Sequence, residues 1–302
     1  MIPRALARSS APDEILSDSF HSHVEIGVSS SSAIPAAQAG LSLDRAVARV
    51  LRDGAAQQHN ASVAFLTVQG SQHSGRRTSY VNTVLSVRVG AAVGSCAVEP
   101  GELDDGHVRE IVGGNVADLL QHPHPAVRVA TLDAYLADRA PHADDPRSRT
   151  VRIPAGSSLD KSAARSRAVA DLVPDTGPVA VIGVVNSLLV QLRERGVDYL
   201  PCDLKGGSTE WGEPVLTDHE HAIAEAGCVL ASGMVLGNGS FDRIAQLCAE
   251  RGIPLVMFAQ TGAAVLRDML GTEVSALSAE PYPFFWLSGE ATDIHCYPGA
   301  GE

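Results

Sequence analysis

Apolar positions change their spacing twice along this 302-residue chain, and each change marks a different architecture. In residues 44–52, Val47, Val50 and Leu51 recur at helical spacing, and Gly54 ends the run. Residues 61–68 read as a strand, and 70–79 as a polar loop. In residues 80–89, Val81, Thr83, Leu85, Val87 and Val89 occupy every second position, the period of a strand with one buried face. A Gly90–Gly94 turn leads to a partner strand at 95–98, so an antiparallel meander is expected. Two helices are predicted next, at 107–120 and 126–137, with His122-Pro-His124-Pro between them. Strands followed by helices predict an α+β domain.

From residue 179 onward, strand and helix alternate. Residues 179–184 form a continuous apolar run, as expected of a strand covered on both faces. A helix at 187–195 stops at Gly196, and a strand follows at 197–203. Helices are expected at 158–173 and 217–226, the second opened by a capping box at Thr217 and Glu220. Ser158 and Lys161 lack the acidic partner of such a box. Two further strand–turn–helix units begin at 228–231 and 253–259, and a last strand is expected near 273–278. The predicted fold class is therefore α/β. Residues 1–24 are a polar arm, 25–145 an α+β domain, and 146–302 a Rossmann-like domain with a mostly parallel sheet.

Composition narrows the functional classes. No apolar run reaches the roughly 18 residues needed to cross a bilayer, and no hydrophobic segment of a secretory signal opens the chain. Five cysteines stand singly, at 96, 202, 228, 248 and 296, which predicts reduced thiols and a cytoplasmic location. A net charge of -12 argues against nucleic acid and anionic membranes as partners. A small polar or anionic ligand remains compatible with it, and so does a homodimer.

The strongest candidate chemistry lies at the two late turns. Gly233-Met-Val-Leu-Gly237-Asn238-Gly239-Ser240 and Gln260-Thr261-Gly262 each join a strand end to a helix start. Free backbone N–H groups there can hold an anion. Asn238, Ser240 and Thr261 can equally serve as plain helix caps. In the first domain, Arg76, Arg77, Tyr80, Asn82 and Thr83 concentrate hydrogen-bond donors, with Glu99 and Glu102 beyond the hairpin partner. A solvated loop is the plain alternative. A dinucleotide site needs G-x-G-x-x-G, and here Gly183 stands alone before Val184 and Val185. Asp203 sits where a ribose-binding acid would lie, but neither NAD nor FAD is expected. The histidine groups His21/His23/Glu25, His122/His124 and Asp218-His219-Glu220-His221 do not carry tight metal-site spacing. The cofactor thus stays undetermined, with a metal ion as one option.

The chain resembles a family of prokaryotic proteins with an enolase-N-terminal-like domain followed by a Rossmann-like domain labelled for heavy-metal chelation. The resemblance rests on Tyr80, Asn82, Thr83, Gly94 and Glu99 in the first half, and on residues 179–183, 231–240 and Thr261 in the second. It implies the fold more firmly than the function. The long polar N-terminus and the aromatic segment Pro281-Tyr-Pro-Phe-Phe-Trp286 depart from it and suggest a specialised member, serving a small-molecule or metallophore pathway. Two functions follow as expectations. One is a binding protein for a metal, metal chelate or anionic metabolite in an interdomain crevice. The other is an enzyme acting on a small carboxylate-bearing metabolite in a biosynthetic pathway. In both, Arg77, Tyr80, Asn82, Gly237, Asn238, Gly239, Ser240 and Thr261 form the site.

Overall fold

The computed structural model describes residues 41–72 and 79–299. The expected arm at 1–24, the His21/His23/Glu25 group, Arg76 and Arg77 lie outside the described residues. Helix α1 (Leu41–Asp53) precedes a three-stranded antiparallel sheet of β1 (Ala61–Gln72), β2 (Ser79–Val89) and β3 (Ala92–Val98), in the order β1-β2-β3. The period of two decides the faces of this sheet. Leu85, Val87 and Val89 are buried on one face. The register pairs Ser71 with Tyr80 and Gln69 with Asn82, which sends those four side chains to the other face.

The expected helix at 107–120 is two helices, α2 (Asp105–Ile111) and α3 (Val116–Leu119). Gly113, at φ 82°, breaks the run, and Asn115 restarts it by accepting from the Ala117 N–H. Helix α4 (Pro125–Arg139) opens with proline in its first turn, where no N–H is missed.

The rest of the chain builds a seven-stranded sheet. Its elements are β4 (Arg149–Ile153), α5 (Ser158–Ala170), β5 (Val179–Ile182), α6 (Asn186–Glu194), β6 (Tyr199–Cys202), α7 (His219–Glu225), β7 (Cys228–Ser232), α8 (Met234–Gly237), α9 (Phe241–Arg251), β8 (Leu255–Ala259), α10 (Ala263–Asp268), β9 (Ala276–Ala279) and β10 (Thr292–Tyr297). The strand order is β4-β10-β9-β8-β7-β5-β6. The five strands from β9 to β6 are parallel, as the alternating pattern predicts. β10 and β4 extend the β9 edge antiparallel, and neither was expected. β4 begins at Arg149, the last residue of the charged, Pro-containing boundary read at 141–149, and carries Arg152 as well. From β5 the chain goes to β6 on one side and then crosses to β7 on the other, which makes the β5/β7 ends the topological switch point.

Helices cover both faces. Val169, Leu188 and Leu192 of α5 and α6 pack on Val181, Leu230 and Val256. On the opposite face, Ile223, Ile244 and Val265 pack on Val229 and Met257, and this cluster continues without a break into Leu132, Leu85, Val87 and Cys96. The N-terminal elements and the parallel sheet therefore share one core. The cap expected at Thr217 lies one position later, and a capping box stands one position before Ser158 and Lys161, where none was expected. Ser157 and Asp160 form the capping box of α5, and Asp218 caps α7.

The junction between the two sheets is polar and close. A Cβ on Gly94 would lie 2.0 Å from the Ala134 nitrogen, so only glycine lets β3 approach α4. Asp133 of α4 accepts from the Ser95 N–H at 2.9 Å and from the Ala264 N–H at 2.7 Å. It thus caps α10 from a different helix. Thr261, the expected cap, makes no cap bond; the N-cap position is Gly262, at φ 66°. The Gly262 N–H returns to the Ser95 carbonyl at 2.8 Å. Burial pushes the Asp133 carboxyl up to about 6, against the pull of those N–H groups and of Arg267.

Two measurements check this junction and the turn beside it. Asp133→Asn keeps one acceptor oxygen and turns an amide toward a buried N–H. It should lower stability in urea by about 1–3 kcal/mol, the cost of a buried donor left unmade; an unchanged midpoint contradicts the clamp. His142, in the turn between α4 and β4, is buried with Nδ1 at 2.8 Å from the Tyr297 hydroxyl. Burial first, then Arg267 and His295, push it from 6.5 down to about 3. The unfolded chain binds the extra proton first, so stability falls as pH drops from about 6.5 toward 3. At about pH 5 the loss from this group is about 2 kcal/mol. The melting temperature of His142→Gln should fall less than that of the wild type between neutral pH and about pH 5; equal falls contradict the assignment.

Candidate functional site

A cavity of about 170 Å³ lies where the β1–β2 hairpin meets the carboxyl ends of β5, β7 and β8. Its lining comes from both halves of the chain. Gln69, Ser71, Tyr80 and Asn82 project from the hairpin, on the face that the register assigns them. Ser158, Ser162 and Arg165 come from α5, and Val185 and Ser187 from the start of α6. Ser232 and Met234 follow β7, Gln260 and Thr261 follow β8, and Phe285 and Trp286 come from the loop after β9. The position is the switch point of the parallel sheet, with the hairpin as the opposing wall.

Arg165 is the unusual group. Its side chain is 6% exposed and its Nε donates to Glu280, itself fully buried, at 2.8 Å. Ser278 Oγ donates to the same carboxylate at 3.0 Å. The guanidinium carbon lies 4.8 Å from the Phe258 ring centre and 5.8 Å from that of Phe285. Glu280 and the rings thus fix the plane of the guanidinium while using one edge of it. Its terminal nitrogens have no protein acceptor among the described residues and belong to a side chain that lines the cavity.

The surrounding groups are held in a second network. Trp286 Nε1 donates to Gln260 Oε1 at 3.1 Å. Ser187 Oγ lies 3.0 Å from both Ser162 Oγ and Ser166 Oγ. Tyr80 Oη receives the Asn186 side-chain amide at 2.7 Å and its backbone N–H at 3.3 Å, which ties β2 to the first turn of α6. The loop carrying Phe285 and Trp286 is latched from below by Lys161, whose ammonium donates to the Ser288 and Glu290 carbonyls and to Thr292 Oγ1. Burial pushes the Lys161 ammonium below its ordinary range. Among the described residues, none that lines the cavity is Asp, Glu, His or Cys.

The expected site residues separate into three groups. Tyr80, Asn82 and Thr261 line the cavity. Gly237, Asn238, Gly239 and Ser240 do not. Gly237 packs on β3, where a Cβ would meet the Ala97 carbonyl at 2.7 Å. Asn238 Oδ1 accepts from Ser240 N and Oγ in a local turn, so these residues shape the start of α9. Arg77 lies outside the described residues. Glu99 and Glu102 hold a turn together, and Asp203 accepts from the Val184 and Lys205 N–H groups. His122 accepts from the His124 N–H, and their Nε2 atoms face Glu110 and Glu102. Among the described residues, no group of three or more His, Cys, Asp or Glu is placed to hold a metal ion.

Arg165, Ser162 and Ser187 were not singled out in the sequence. The available signal was the spacing of Lys161, Ser162, Arg165 and Ser166, a polar stripe on one side of α5. All four are buried, although such a stripe reads as a solvated face.

Neither a protein-family model nor a curated protein matches the chain. The fold is similar to that of a DUF364-family protein of unknown function from Desulfitobacterium hafniense DCB-2, with a TM-score of 0.55 and 13% identity, over 84% of this chain and 96% of that one. It is also similar to a DUF364-family protein of unknown function from Pyrococcus horikoshii, with a TM-score of 0.50 and 16% identity, over 79% of this chain and 86% of that one. These likenesses establish the α/β fold, with its three-stranded antiparallel sheet and seven-stranded, mostly parallel sheet. Among the described residues, no helix is long and apolar enough to cross a membrane.

Proposed function

We propose that the protein binds a small carboxylate-bearing ligand in the cavity between the hairpin and the parallel sheet. One observation carries the reading: Arg165 is buried and oriented by Glu280, and its outer fork has no protein acceptor among the described residues. A guanidinium held in one plane at a cavity wall keeps its remaining donors available to a ligand. A carboxylate matches that fork in shape and charge. The cavity walls support the same reading, since their other polar groups are mostly hydroxyls and amides, with no competing carboxylate among the described residues.

The lining also ranks the three ligand types in the binding hypothesis. Among the described residues, a bare metal ion finds no anionic or imidazole ligand there. A chelate or an anionic metabolite brings its own oxygens and meets Arg165. The heavy-metal label of the resembling family accordingly fits best as binding of a chelating acid. An enzyme acting on a carboxylate-bearing metabolite would use the same anion pole, with the Tyr80 hydroxyl among the groups that line the same cavity.

Thermal unfolding of untagged protein with citrate, 2-oxoglutarate, phenylpyruvate, ferric citrate or zinc chloride tests the reading. At about 100 times its Kd a ligand stabilises the fold by about 2.7 kcal/mol, a shift of several degrees. At least one acid should raise the melting temperature of the wild type and lose that effect in Arg165→Lys, which keeps the charge beside Glu280 but not the fork. Stabilisation by zinc alone, equal in both proteins, contradicts the proposal.

A further inference from the structure

Tyr80 has a direction to its hydrogen bonding that its neighbours impose. Asn186 is buried, and its Oδ1 accepts from the Glu210 N–H at 3.2 Å. That bond assigns the amide: the oxygen faces Glu210, so the NH2 faces Tyr80 at 2.7 Å. The Asn186 backbone N–H points at the same hydroxyl from 3.3 Å. Both lone pairs of Tyr80 Oη are thereby filled. Its own proton leaves on the side that Asn186 does not occupy, and Tyr80 is a cavity-lining residue.

We infer that Asn186 fixes Tyr80 as an obligate hydrogen-bond donor, and that the cavity therefore selects acids carrying no cationic group. The inference rests on the anion site proposed above and specifies its ligand. Arg165 can only donate. Tyr80, set by Asn186, donates as well. Among the described residues no carboxylate lines the cavity to neutralise an ammonium, so a zwitterionic amino acid would bury its cation without a counter-charge. A hydroxy acid of the same skeleton meets both donors with oxygen. Tyr80 is thus the contact residue, and Asn186 acts through it as a positioning residue.

Matched pairs test this on the full-length protein: malate against aspartate, and 3-phenyllactate against phenylalanine, with dissociation constants from titration calorimetry. In at least one pair the hydroxy acid should bind about tenfold or more tighter than its amino partner, the scale on which a site rejects an unmatched polar group. Tyr80→Phe should weaken the hydroxy acid about tenfold. Asn186→Asp replaces the donating amide by an acceptor, draws the tyrosine proton away from the cavity and should weaken binding at least as much. Because both changes remove one bond, Tyr80→Phe added to Asn186→Asp should cost nothing further. Costs of the two changes that multiply, or amino acids that bind as well as hydroxy acids, overturn this inference and leave the anion site standing. If none of the four acids binds the wild type, this inference falls; if the acids of the unfolding test fail to stabilise the protein as well, the anion site falls with it.

Discussion

The close approach of β3 to α4 and α10 organises the molecule. It is a backbone problem before it is a side-chain problem. Gly94 removes the Cβ that would strike the Ala134 nitrogen, and Asp133 then satisfies N–H groups on both sides of the contact. Ser95 closes the set by accepting from the Gly262 N–H. With that junction made, the Tyr80 and Asn82 face of the β1–β2 hairpin lies across the carboxyl ends of β5, β7 and β8. A single apolar cluster running from Leu85 and Leu132 to Val265 and Met257 holds it there. The cavity is a consequence of this docking.

What the cavity does follows from an ion pair used in an asymmetric way. Arg165 and Glu280 neutralise one another in the core, and a buried pair of this kind contributes little net stability. Its effect is on geometry. Glu280 takes one edge of the guanidinium, Phe258 and Phe285 hold its plane, and the outer edge is presented rather than consumed. Lys161 makes the arrangement rigid by tying down the loop that supplies Phe285 and Trp286. In a chain of net charge -12, an oriented donor group in a cavity that no carboxylate of the described residues lines is a local reversal of the overall field.

The fold was largely legible in the sequence, and the site in part. Continuous apolar runs at β5, β7 and β8 announced covered parallel strands, and the period of two in β2 placed Tyr80 and Asn82 on one face. Two elements escaped because their signals were local and misleading. β4 is short and carries Arg149 and Arg152, and β10 contains Asp293 and His295. The cap of α10 escaped because it comes from Asp133, about 130 residues away in sequence, which no adjacent-residue rule reveals. The turn at Gly237–Ser240 drew attention because glycine and asparagine serve close packing and anion binding alike. Here Gly237 packs on β3. Arg165 was hidden for the opposite reason: an arginine and serines on a helix look solvated until a second layer covers them.

The central claim is that Arg165 presents its outer fork to a carboxylate in the cavity. A crystal structure of the protein grown with the acid that stabilises it most tests this directly. The account predicts a carboxylate against the terminal nitrogens of Arg165, with a ligand oxygen within hydrogen-bond distance of Tyr80 Oη. An acid bound at the Gly237–Ser240 turn, or one lying in the cavity with its carboxylate turned away from Arg165, would contradict it.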